Sequence, residues 1–205
     1  MGNGDGIIAD GTPLVSHDRP DSCIVVYNTF INNHVQYGMA GRPNGYGATN
    51  ITVANNIFQG HGNMAGLSNS SIYNGTWFGN IRWDDSNPGS MPASGYTTVN
   101  PLLAPDSDGI YHIQKGSPAI GMGVGYFPMV TVDIDGQPRG ASKDVGADQF
   151  SPAPILSRPL TPNDVGPGSA NANGSSQNTT TPQKSSATKF YLNLYVLALS
   201  ISLGL

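Results

Sequence analysis

Three stretches in the first hundred residues share one plan, and that plan limits what the chain can fold into. They read IVVYNTFINN (24–33), ITVANNIFQG (51–60) and SIYNGTWFGNIRW (71–83). Each runs from a short β-branched segment through an asparagine and an aromatic or aliphatic pair to a polar turn. With Asn28, Asn56 and Asn80 aligned, the spacings are 28 and 24 residues. A repeat of that length is one turn of a solenoid, a unit that cannot bury its own apolar face until neighbours stack on it. A β-sandwich also has short strands, at intervals of roughly 8–12 residues, but the short runs and their asparagines fit a coil better. Asparagine tolerates the left-handed backbone that sharp corners require. In a stack of coils each side-chain amide is also placed to bond the next, so these asparagines are read as turn chemistry and not as ligands.

Composition supports an all-β reading. Glycine (27) and proline (16), the two poorest residues in a helix interior, are plentiful. All 13 acidic residues are aspartate, with no glutamate anywhere; aspartate competes for backbone hydrogen bonds in turns, whereas glutamate favours helices. A net charge of −4 with nine scattered basic residues excludes a nucleic-acid surface, which needs clustered cations. The single cysteine, Cys23, rules out an internal disulfide framework and reads as a small buried side chain beside Ile24-Val25-Val26.

The texture predicts four segments. Residues 1–100 are coils, and 101–150, rich in turns, are the last irregular turns that close the stack, with a strand before the DG turn and another at the end. Residues 151–189 are rich in Pro, Ser, Thr and Asn and are expected to be disordered. The apolar stretch 190–205 is shorter than the roughly 20 residues of a bilayer span. With the small residues Gly174-Ser175-Ser176 and a polar spacer before it, it has the pattern of a glycosylphosphatidylinositol attachment signal, Gly174 being the expected site; a tail-anchored helix is the alternative. Such a protein is secreted and held at the cell surface by lipid alone. Sequons at Asn50, Asn69, Asn74, Asn173 and Asn178 agree with secretion. The start, MGNGDGIIADGTPLV, has no signal-peptide character, which leads to the expectation of a chain truncated on its N-terminal side.

The run VVYNTFINN…ATNITVANNIFQG…GNIRW…NPLL…YHIQKGSPAIGMG…DIDGQPR…DVGADQF resembles the C-terminal half of polysaccharide lyase family 6, the chondroitinase B and alginate lyase group, over about residues 6–150. The closing motifs SPAIG, DIDGQPR and DVGAD are shared by other parallel β-helix proteins. The resemblance implies a right-handed, single-stranded parallel β-helix of the pectin-lyase kind. It also implies β-elimination on an anionic, uronate-containing polysaccharide. In that chemistry calcium, held by Asn and Glu side chains, neutralises the uronate; a lysine takes the C5 proton and an arginine assists the leaving oxygen.

Those roles do not map onto this sequence. Glutamate is absent, and no lysine precedes Lys115, so no calcium site and no catalytic residue are placed here, and Lys115 and Lys143 are read as solvated turn lysines. The expectation is a lyase portion inactive by itself, or else a non-catalytic, glycan-binding surface protein, in either case a monomer. Arg42, His61 and Arg82, which follow or sit within successive repeats, are the candidate contacts to the polysaccharide, arginine being suited to carboxylates. His17, Asp18 and Arg19 form a lesser cluster. Asp133-Ile134-Asp135-Gly136 reads as a turn, not a calcium loop, and Asp84-Asp85 as turn residues.

Overall fold

The computed structural model describes residues 20–39, 48–67, 72–157 and 160. The His17 cluster, Arg42, Gly174, the sequons at Asn69, Asn173 and Asn178, and the apolar stretch 190–205 lie outside them. The described chain is rich in short strands, and its one helical element is a 3-10 turn, Ala93–Gly95.

The strands return to the same positions with a fixed offset. β1 (Ile24–Val26), β5 (Thr52–Ala54) and β9 (Thr76–Phe78) make one parallel sheet, with Val25, Val53 and Trp77 in register. β2 (Thr29–Ile31), β6 (Ile57–Gln59), β10 (Asn80–Trp83) and β12 (Tyr96–Thr98) make the second, with Phe30, Phe58, Arg82 and Thr98 in one column. β3 (Val35–Met39), β7 (Gly62–Leu67) and β11 (Ser86–Gly89) make the third. β4 (Ala48–Thr49) pairs with β8 (Ile72–Tyr73). All these pairings are parallel, so successive passes of the chain stack as rungs. The offset falls from 28 to 24 because eight residues separate β3 from β4 and only four separate β7 from β8.

Corners explain why the strands are so short. Each rung bends three times through left-handed backbone, and the bends line up: Ser22, Asn50 and Asn74; Tyr27, Asn55 and Gly79; Asn32, Gly60 and Asp84. Asparagine or glycine fills six of these nine places, the residues for which that region costs least. Beside the middle corner runs an amide ladder. Asn28 Nδ2 donates to Asn56 Oδ1 at 3.0 Å, and Asn56 Nδ2 donates to Asn80 Oδ1 at 3.0 Å. The same oxygens also accept the backbone N–H of Asn28 and of Asn56, while Asn56 and Asn80 donate on to the carbonyls of Val25 and Val53. Corner groups that strand pairing leaves over are thereby satisfied.

Alternation along each strand sends side chains to two faces. One face fills the interior between the sheets: Val25, Val53, Phe30, Phe58, Tyr37, Met64, Met91 and Trp77 form one cluster, with Cys23 packed against it. Phe30 stacks on Phe58 with ring centres 4.9 Å apart, and Tyr37 meets Trp77 edge-on at 5.8 Å. Each such ring, fully buried, contributes about 1.5–3 kcal/mol. The other faces of the first two sheets are apolar as well, through Ile24, Val26, Ala54 and Phe78 on the first and Ile57 and Ile81 on the second.

Residues 101–150, expected as closing turns, run along the side of the stack and cover those two faces. Phe127 and Val130 pack on Tyr27, Ala54 and Phe78, while Ala119, Val145 and Ile113 pack on Ile57 and Ile81. Backbone from this segment bonds to the first two rungs: Ala147 N–H donates to Thr29 Oγ1, Gly146 N–H to the Asn55 carbonyl, and Val124 N–H to Asn55 Oδ1. Gly146 lies so close that a Cβ there would sit 2.6 Å from Ile57 Cδ1. The two strands expected between residues 130 and 150 do not form. The segment holds only the isolated bridge Val132–Pro138, and four of its N–H groups go to the buried carboxylates of Asp133 and Asp144 while others go to carbonyls outside any strand ladder. Asp133 accepts from Asp135, Gln137 and Gln149, and Asp144 accepts from Gly121 and Phe150.

Candidate functional site

A cluster of one histidine and three aspartates sits in this side segment, where a hairpin and two turns meet. β13 (Leu103–Pro105) and β14 (Tyr111–Ile113) pair antiparallel, with Ala104 opposite His112. Asp106 opens the connecting turn, its Oδ1 accepting the N–H groups of Asp108 and Ile110, both at 2.9 Å. Alternation along β14 puts Ile113 into the apolar cluster and His112 on the other side, towards a cleft.

His112 is flanked by carboxylates at both ring nitrogens. Nε2 lies 3.1 Å from Asp106 Oδ2, and Nδ1 lies 3.3 Å from Asp135 Oδ2 and 3.7 Å from Asp148 Oδ1. Asp148 is held by the Ile113 N–H, which donates to its Oδ2 at 2.6 Å. Asp135 is carried by the turn that Asp133 ties together, and no hydrogen bond reaches its carboxylate among the described residues. Asp135 is 7% exposed and Asp148 4%. The cleft beside them holds about 390 Å³, with Gln114, Gln137 and Gln149 on its polar side and Phe150 and Ile155 on its apolar side.

Burial and charge work against each other here. Burial pulls the His112 imidazole down, but the hydrogen bond to Asp106 and the charges of Asp135 and Asp148 outweigh it and hold its pKa above the ordinary 6.5. Burial raises Asp135 above 3.8; the charge of His112 opposes this, and Asp133 and Asp148 reinforce it. Burial likewise raises Asp148, against the pull of the Ile113 N–H and His112. Asp106 also meets desolvation, yet the N–H groups of Ile110 and Asp108 and the imidazole bring it below 3.8. With every carboxylate ionised, three negative charges face one imidazole, an arrangement suited to a cation.

The sequence-predicted contacts lie elsewhere. Arg82 shares its column with Phe30 and Phe58, and its Nε donates to the Ser86 carbonyl. His61 is exposed at the corner after β6. Arg42 is outside the described residues. Asn50 and Asn74 are exposed at their corners, where Asn50 Nδ2 donates to Asp21 Oδ1 and Asn74 Nδ2 to Asn50 Oδ1. Lys143 Nζ donates to the Val130 carbonyl, and Lys115 is exposed. The DIDG stretch is the Asp133-centred turn, and Asp84-Asp85 form a turn.

Sequence reasoning treated the residues of the His112 cluster as turn chemistry or passed over them. One signal was available: six of the thirteen aspartates fall between Asp106 and Asp148, around a lone histidine. No known protein family, curated protein or solved structure matches this chain. Among the described residues no helix is long and apolar enough to cross a membrane.

Proposed function

We propose that the rungs belong to a right-handed parallel β-helix of the polysaccharide-lyase kind and that this chain binds a glycan without cleaving it. The observation carrying this reading is the open outer face of β3-β7-β11. The segment 101–150 covers the other two principal sheets, whereas Val35, Asn63 and Asn87 form an exposed column across all three rungs here. Exposed His34 and His61 stand at the adjoining corners. Rungs repeat at about 4.8 Å, a spacing close to one sugar ring, so an extended glycan crossing them would meet the apolar side chain of Val35 and then the amides of Asn63 and Asn87 on successive rungs. The two histidines, and Arg42 outside the described residues, are the groups available to a uronate carboxylate. Parallel stacking, the corner columns and the asparagine ladder support the β-helix. The absence of glutamate and of any lysine on the rungs supports binding over elimination.

The test is retention of the full chain on immobilised alginate and chondroitin sulfate, with ultraviolet absorbance followed for unsaturated ends in the presence of calcium. Retention without new absorbance is expected, weakened about tenfold by Asn63→Ala, equivalent to about 1.4 kcal/mol. Accumulating unsaturated ends would make the chain a lyase, and no retention of the folded protein would end the glycan reading.

A further inference from the structure

We propose that His112, Asp135 and Asp148 form a binding site for a borderline divalent cation of the zinc type. Three ligand atoms, one from each residue, lie within 4.8 Å of one another. A tetrahedral ion with ligands at about 2.0–2.1 Å sets its ligand atoms about 3.3 Å apart. The separation of 3.3 Å from His112 Nδ1 to Asp135 Oδ2 equals that edge, and the 3.7 Å to Asp148 Oδ1 comes within reach of it by a small side-chain rotation.

The surroundings are built as a ligand site requires. A histidine that binds metal through one nitrogen nearly always gives its other N–H to a carboxylate or carbonyl, which fixes the tautomer and the ring plane. Asp106 Oδ2 stands at Nε2 in that role, and its own Oδ1 is anchored by two backbone N–H groups. Asp148 spends Oδ2 on the Ile113 N–H and leaves Oδ1 toward the histidine. The Asp135 side chain is 10% exposed, and its carboxylate oxygen lies 3.3 Å from His112 Nδ1, on the side of the ring away from Asp106. Two buried carboxylates beside one imidazole carry more negative charge than the ring can balance, and a bound cation offsets the excess. The cleft leaves a fourth position for water or a small anionic ligand. One imidazole with two carboxylates favours zinc or a similar first-row ion over calcium, which takes six to eight oxygens.

Calorimetric titration of the chelator-treated full chain with zinc chloride tests the site. One ion per chain is expected, with calcium failing to compete at a thousandfold excess. Asp135→Asn should lower the affinity at least a hundredfold, and Asp106→Asn, which leaves every ligand in place, about ten- to a hundredfold. Wild-type protein gives a readout independent of variant folding. In a nitrogen-15 spectrum of the imidazoles, zinc should move His112 through Nδ1 while leaving His34 and His61 in place. Failure to bind zinc, calcium displacing it, or binding that shifts His34 or His61 instead of His112 would overturn the assignment.

Discussion

The rung stack and the segment laid along its side solve one problem in two ways. Both must satisfy buried backbone groups where the chain keeps turning. In the rungs the solution is periodic: parallel strands pair at a constant offset, corners recur in columns, and one asparagine per rung bonds the next. In residues 101–150 the solution is singular. Buried Asp133 gathers three backbone N–H groups and buried Asp144 two, and Arg139, 8% exposed, donates to the carbonyls of Asp144 and Gly146 while its guanidinium lies 5.0 Å from the centre of the Tyr27 ring. A repeating unit reuses one device at low sequence cost, whereas an irregular unit needs a different charged group at each turn. The second arrangement collects aspartates in one place and leaves some of them, such as Asp135, facing a cleft.

The sharpest way to break the comparison is to remove the hub of the irregular unit. Asp133→Ala strands three backbone N–H groups at once, and a loss of about 4 kcal/mol is expected from denaturant unfolding. The side segment covers apolar faces of two sheets, so that unfolding should remain one transition shared by strand and aromatic signals. Two separate transitions would show that the rungs stand without their cover. Asn56→Ala strikes the periodic unit instead. It removes the middle of the ladder, leaving the Asn28 N–H, the Val25 carbonyl and Asn80 Oδ1 short of partners. About 3 kcal/mol should be lost on the same measurement; under 1 kcal/mol would mean the ladder is ornament to the strand pairing.

The smallest effect concerns the edge of the periodic unit. Asp21 accepts from Thr49 Oγ1, Asn50 Nδ2 and Ser22 Oγ, and these bonds hold its carboxyl below the ordinary 3.8. The folded state thus binds this proton more weakly than the unfolded chain does. Its contribution is complete above pH 3.8 and fades as pH falls through the lowered value. Asp21→Asn should therefore flatten the pH dependence of the melting temperature only in that acid window. An equal change near neutral pH would count against the corner assignment.

Much of the rung architecture was legible beforehand because repetition writes geometry into sequence. Asn28, Asn56 and Asn80 announced their own contacts, since residues at one point of a repeat become neighbours when units stack. The role of residues 130–150 was not legible. DIDG and DVGAD look like strand-and-turn punctuation, and nothing local tells that Asp133 and Asp144 draw N–H groups away from a strand ladder. Arg82 sits in the middle of a repeat, where sequence suggests an exposed cation, yet its register places it in the column of Phe30 and Phe58.

By itself, then, the sequence determined much of the periodic half: an all-β chain, its repeat length and its amide ladder, whereas the left-handed corners fall one residue before the aligned asparagines, at Tyr27, Asn55 and Gly79. Only the tertiary structure decided where residues 101–150 lie, and only it brought Asp106, His112, Asp135 and Asp148 around one point. Those four share no period. They meet because apolar side chains such as Ile113 and Val145 dock on Ile57 and Ile81, and that docking depends on faces that exist only after the rungs have stacked.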